Sequence, residues 1–297
     1  MHKPIVVGID GSPSSVAAQD LAVREAAMRR RPLRIVHVLA WPWPTFHMPD
    51  RPPPDDLEAI SLLAQANTLV ATAVDRARQA QPTVTVDGEV MIGFPAPVLL
   101  TESQAATLVV IGHRGLGRVG GLLLGSVAVH LTARASCPLL VSRGRPNPAG
   151  NVLLGVDAAL ASNPAVGMAF EEAALRGIDL DAVHTRRASS TSQPGHILPA
   201  GRHRTMAAHA EERLLAKALA EWQHKFPHVT VRQHLVRGDA RQVLIDATAQ
   251  AQIVVVAAHG RGGISGLLFR STSQAVLDDA DCPVLVLLGR NMPVPNL

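Results

Sequence analysis

At 297 residues the chain is long enough for two domains of ordinary size, each with its own core. Its apolar share of 47% is almost wholly aliphatic, since aromatics make up 3% and tyrosine is missing, so any core must be built from Val, Leu, Ile and Ala. A net charge of +4, with no basic run longer than Arg29–Arg31 and no interleaved aromatics, argues against a nucleic-acid binder.

The first element is "PIVVGI" (4–9), a continuous apolar run of the kind expected for a strand covered on both faces. "GSPSS" follows, with Ser12 placed as N-cap and Pro13 as the first residue of a helix. Ala18, Leu21, Ala22 and Ala26 then keep helical spacing to about Arg30. "LRIVHVL" (33–39) is a second strand, and the Pro-rich "WPWPTFHMPDRPPPDD" leads to a helix from about Leu57 to Ala80. "TVTVDGEVM" (83–91) is a third strand, "PAPVLLTESQA" (95–105) a helix, and "TLVVIG" (107–112) a fourth strand. After a glycine-rich loop a helix runs from about Ser126 to Ala135, and "PLLVS" (138–142) is the fifth strand. Strand–helix alternation of this kind implies a parallel, helix-covered sheet with right-handed crossovers.

The sequence then repeats itself. "VVIGHRGLGRVGGLLLGS" (109–126) has a degraded echo in "VVVAAHGRGGISGLLFRS" (254–271), and the offset of 145 also pairs Cys137-Pro138 with Cys282-Pro283. "IVVGIDGSPSS" returns as "VLLGVDAALAS" (152–162), which aligns Asp10 with Asp157. "IVHVLAW" returns as "LDAVHTR" (180–186), and "IGFPAPVLL" as "VRGDARQVLI" (236–245). These matches, in one order and at nearly constant offset, mark a tandem duplication. The expected domains are 1–144 and 150–297, joined by "SRGRPNPAGN", whose Pro, Gly and Asn suit a linker.

Two features fall at strand carboxyl ends, where ligands bind in open α/β sheets: Asp10 after the first strand and the loop from Gly112 after the fourth. Gly112 and Gly115 let backbone approach a ligand, and Gly125 and Ser126 open a helix with free N–H groups and a hydroxyl, next to Val127. "GGLLLGS" has a P-loop's glycine spacing without its lysine, so charge compensation falls to N–H groups and to Arg114 or Arg118. His113 and His259 read as surface histidines, and the 13 histidines show no metal-ligand spacing. Trp41, Trp43 and Phe46 read either as a cover for a ligand's ring or as a loop anchor. Cys137 and Cys282, distant and outside any CxxC, read as small buried residues entering strands.

These residues resemble the tandem-domain universal stress proteins of the nucleotide-binding kind, much like those of mycobacteria, and the resemblance covers essentially the whole chain. The family motif Gly-x2-Gly-x9-Gly-(Ser/Thr) is met by Gly112, Gly115, Gly125 and Ser126. The resemblance places Asp10 near a ribose and the Val38 backbone against an adenine. It implies two Rossmann-like α/β units of the adenine nucleotide alpha hydrolase kind, each an open five-stranded parallel sheet. It also implies pairing through the last strands as an intramolecular pseudo-dimer or a homodimer, and ATP as ligand, with or without Mg2+. The second half departs from the motif: Ala257 stands for Gly112 and Arg270 for Gly125, which leaves Asp157, Gly260 and Ser271 as a weaker second site.

No paired carboxylates, phosphate-contacting lysine or Walker-B-like acid accompany the loop. The sequence therefore favours a nucleotide-dependent regulatory module in stress response over a slow ATPase or nucleotidyl-transfer enzyme, and over a scaffold with a vestigial loop. No uninterrupted apolar run approaches the roughly 18–20 residues of a membrane span. "MHKPIVVGID" lacks a signal peptide's apolar stretch and cleavage site, so the expectation is a soluble, cytoplasmic protein.

Overall fold

A computed structural model describes residues 3–40, 56–115, 124–156, 164–186, 213, 215–258 and 272–288. The chain divides into two compact units, Met1–Arg143 and Gly144–Leu297.

The first unit runs β1 (Ile5–Ile9), α1 (Pro13–Arg29), β2 (Leu33–Leu39), α2 (Asp56–Ala80), β3 (Val86–Ile92), α3 (Pro95–Ala105), β4 (Leu108–Gly112), α4 (Ser126–Arg134) and β5 (Leu139–Ser142). Its strands are parallel in the order β3-β2-β1-β4-β5. The order reverses between β1 and β4, so the carboxyl ends of those strands, where Asp10 and the glycine loop begin, lie side by side. Ile5, Leu33, Ile35, Leu108, Leu139 and Leu140 are fully buried, which accounts for the continuous apolar runs that mark these strands.

Local chemistry sets the helix ends. The Ser12 hydroxyl accepts the Ser15 N–H at 3.2 Å, and Pro13, which has no N–H to leave unpaired, opens α1. Ala18, Ala22 and Ala26 are fully buried, small side chains that let α1 lie close on β1 and β4. The helix stops at Arg30, whose left-handed backbone directs its N–H to Ala27 O and that of Arg31 to Ala26 O. Strand β3 starts three residues later than the sequence pattern suggests, because the Gln81–Val84 turn that ends α2 takes up those residues.

Helix α2 shows what counting uninterrupted runs misses. Over Leu57–Ala80 it is long and apolar enough, by length and composition alone, to cross a membrane. Such a helix is weak evidence for a span. Here Ala66, Val70, Ala73, Val74 and Ala77 form a buried stripe at helical spacing against β2 and β3, and the Gln19 amide donates to Ala73 O at 2.6 Å from α1.

The second unit runs β6 (Asn151–Val156), α5 (Pro164–Arg176), β7 (Leu180–Arg186), α6 (helical over 215–225), β8 (Val231–Arg237), α7 (Ala240–Thr248), β9 (Ala251–Ala258), α8 (Thr272–Asp279) and β10 (Val284–Leu288). Its parallel order β10-β9-β6-β7-β8 is that of the first unit. The segment read as a linker is tied down. Arg145 N donates to Asp281 O and Asn147 N to Ala251 O. Gly144 holds φ +54° where any Cβ would collide with the Asp281 backbone.

Small devices recur with the repeat. Ser103 donates to Leu100 O at 2.6 Å and accepts the Ser136 N–H at 2.9 Å. Thr248 does the same with Ile245 O and the Asp281 N–H, at the same two distances. Each hydroxyl is buried and clasps the turn that feeds the last strand. Ser103→Ala and Thr248→Ala each strand a turn N–H, and each should cost about 1–3 kcal/mol in chemical denaturation. An ion pair also repeats: Glu25 with Arg29 in α1, and Glu172 with Arg176 in α5.

Candidate nucleotide site of the first unit

Asp10 follows β1 directly, and its Oδ1 accepts the Ser12 N–H at 3.0 Å, which fixes the carboxylate at the mouth of α1. The β4 loop comes to it. A Cβ built on Gly115 would stand 2.5 Å from Asp10 Oδ2, so residue 115 must be glycine for loop and carboxylate to meet. Gly112, paired with Ser142 at the end of β4, is pressed against α1, where a Cβ would stand 2.8 Å from both C and O of Ser14. The Arg114 N–H donates to Ser14 Oγ at 3.3 Å, and the guanidinium-bearing side chain is exposed.

Gly125 closes the loop from the other side. Its N–H donates to His113 O at 2.9 Å, and as N-cap of α4 it has φ −68°. Any residue adopts that φ, and among the described residues an added Cβ would meet nothing nearer than 3.5 Å. The packing of the described residues therefore does not require glycine at 125, as it does at 112 and 115. Ser126 is exposed at the first position of α4, and Val127 beside it is half-buried. Val38 lies on the same rim, paired with Met91 near the carboxyl end of β2, one residue past the Ile9–His37 pair. The structure thus brings Asp10, Gly112, Gly115 and Gly125 together, with Arg114 contributing backbone.

Two histidines carry more than the sequence reading gave them. His37 Nδ1 lies 2.9 Å from Ile9 O, the carbonyl just before Asp10, and His184 makes the matching contact to Val156 O in the second unit. His113 is half-buried rather than on the surface, with Nδ1 3.1 Å from Ser14 Oγ and 3.2 Å from Ser142 O. The available signal was its place inside the Gly-x2-Gly step. Burial pushes its pKa below the ordinary histidine value, the hydrogen bond it donates to Ser142 O opposes that, and Arg143 and Arg114 add to the lowering. The native ring thus resists a proton that the unfolded chain takes up below about pH 6.5. Its share of stability is complete above that pH and is lost as pH falls through the window beneath it. His113→Asn should accordingly flatten the acid side of a stability–pH curve from about pH 6.5 downward, and leave the neutral side unchanged.

Burial pushes the thiols of Cys137 and Cys282 up to about 12, which leaves them protonated and inert. In the second unit the Ser273 hydroxyl donates to Ala257 O at 2.7 Å, so the end of β9 is closed by α8. Asp157, Gly260, Ser271, Arg270 and His259 lie outside the described residues, as do Arg118, Gly120, Trp41, Trp43 and Phe46.

Comparison with known proteins agrees with this architecture. The model of the universal stress protein family matches residues 1–143 and again 149–287. A universal stress protein of Mycolicibacterium smegmatis is 35% identical over 295 residues, covering 96% of this chain and 97% of its own. Universal stress protein Rv2005c of Mycobacterium tuberculosis is 36% identical over 302 residues, with coverage of 96% and 99%. The crystal structure of a universal stress protein from Archaeoglobus fulgidus superposes with a TM-score of 0.68 at 15% identity, covering 96% of this chain and 98% of that one, a likeness of fold.

Proposed function

Because the chain belongs to the universal stress protein family, we propose that its first unit binds ATP and acts as a nucleotide-dependent regulatory module without efficient turnover. One observation carries the reading. Gly125 is glycine although neither its φ nor its neighbours among the described residues demand it, and it faces Gly112, Arg114 and Gly115. An open position there is what a phosphate lying on backbone N–H groups at a helix start would need. Asp10, held by Ser12 at the opposite wall, suits a ribose hydroxyl. Among the described residues no three metal-ligating side chains stand together, so Mg2+ would arrive with the phosphates, as that ion is commonly held.

On this reading the site holds a ground state rather than being built for a transition state. The loop itself contains no lysine, and phosphoryl transfer depends on such charges. ATP at about 100 times its dissociation constant adds about 2.7 kcal/mol to the folded state. That corresponds to a rise of several degrees in melting temperature for a unit of this size. Phosphate release should stay far below the roughly 1–100 s⁻¹ of kinases. An unchanged melting temperature at millimolar ATP would refute binding. Release near one per second, abolished by Asp10→Asn, would refute the regulatory reading in favour of an enzyme.

A further inference from the structure

Ser14 is the second residue of α1, half-buried against Gly112 at the junction of α1, β4 and β5. Its hydroxyl oxygen accepts the Arg114 N–H at 3.3 Å and lies 3.1 Å from His113 Nδ1, which is itself 3.2 Å from the Ser142 carbonyl oxygen. A carbonyl oxygen can only accept, so the Ser142 contact requires the proton on Nδ1. That N–H is shared between Ser142 O and Ser14 Oγ. Both acceptor positions of the Ser14 hydroxyl are then filled, one from Nδ1–H and one from Arg114 N–H, and its own proton remains to be donated. Among the described residues the hydroxyl has no other partner.

The repeat shows that the fold does not need this arrangement. Aligned in sequence with Ser14 and His113 are Ala161 and Ala258, neither with a side-chain polar group, yet β6 and β9 pair over 152–154 and 253–255 as β1 and β4 do over 5–7 and 108–110. The Ser–His pair occurs with the intact glycine motif, and both partners are missing where Gly112 and Gly125 are replaced.

We propose that Ser14 donates a hydrogen bond to a phosphate oxygen of the nucleotide, and that His113 is a positioning residue that turns the Ser14 proton toward the ligand. The assignment rests on the reading of the first unit as a nucleotide site. It also gives the half-buried histidine a role: a ring neutral near pH 7, in one tautomer, keeps Ser14 an obligate donor and so selects a fully ionised oxygen over a protonated one.

Calorimetric titration of the full chain with ATP and with adenosine tests it, together with nitrogen-15 NMR of the His113 ring in the free protein. The ring should be the Nδ1–H tautomer. Ser14→Ala should weaken ATP by roughly 10- to 100-fold, the loss of one hydrogen bond to a charged oxygen, with adenosine binding unchanged. Ser14→Thr, which keeps the hydroxyl, should bind ATP within about threefold of wild type. His113→Asn, whose amide N–H takes the place of Nδ1–H, should stay close to wild type, and His113→Phe should fall toward Ser14→Ala. ATP affinity unchanged in Ser14→Ala, an equal loss for adenosine, or an Nε2–H tautomer overturns this assignment while ATP uptake by the wild-type chain leaves the nucleotide site standing. A wild-type chain that takes up no ATP overturns both.

Discussion

Titrated with ATP, the chain should take up one nucleotide, and Gly125→Arg should take up none while melting at the wild-type temperature. Both halves of that expectation follow from the difference between the glycines of one motif. At Gly125 the backbone is ordinary and the nearest atom to an added Cβ among the described residues is 3.5 Å away, so a side chain can be attached there without disturbing their packing. That side chain then occupies the space where phosphates would rest. Gly112→Ala should behave in the opposite way. Its methyl meets the Ser14 backbone at 2.8 Å, so the start of α1 must move, at about 1–3 kcal/mol for a forced fit in a packed site. The second unit combines both changes in its sequence, with alanine at 257 and arginine at 270, and its Ala257 carbonyl is taken by Ser273. Ala257→Gly with Arg270→Gly should raise the stoichiometry above one. A wild-type stoichiometry of two, with Gly125→Arg losing a single site, would show that Arg270 serves as a phosphate ligand and would defeat the steric argument.

Phe170→Ala should destabilise the second unit by about 3–5 kcal/mol, the usual range for emptying a phenylalanine site. The chain is poor in aromatics, yet three of them gather here. Phe170 on α5 is 0% exposed and stacks on Phe226 with ring centroids 6.1 Å apart; Phe226 in turn stacks on Trp222 at 6.3 Å. Trp222 covers Gly167, where a side chain would run into the indole, so α5 and α6 are locked at a distance that leaves no slack to refill a cavity. At roughly 2–4 °C per kcal/mol the melting temperature of this unit should fall by about 6–20 °C. Fluorescence of Trp222, in a background where Trp41 and Trp43 are replaced by phenylalanine, reports it directly. A fall of less than about 1 kcal/mol would mean that the stack is not the core of this unit.

What the sequence determined by itself is local or periodic. Apolar runs, the Ser12–Pro13 start of α1, the exact span of α3 and the offset repeat each depend on residues a few positions apart, or on comparison of the chain with itself, so they are legible without a fold. The glycine spacing marked the β4 loop for the same reason. Partners distant in the chain are another matter. That Asp10 Oδ2 abuts Gly115, that Ser14 Oγ and His113 Nδ1, 99 residues apart in sequence, lie 3.1 Å from each other, and that the 144–150 segment is fastened to Asp281 and Ala251 all depend on which strands lie side by side. Periodicity tells which face of an element is buried and is silent on what covers it. So His113, polar and lone in the sequence, reads as solvated until β5 and α1 close around it and make it the residue that sets another's proton. The same holds in reverse for α2, whose apolar length matches a membrane span in composition and whose buried stripe is assigned to β2 and β3 only by the folded sheet.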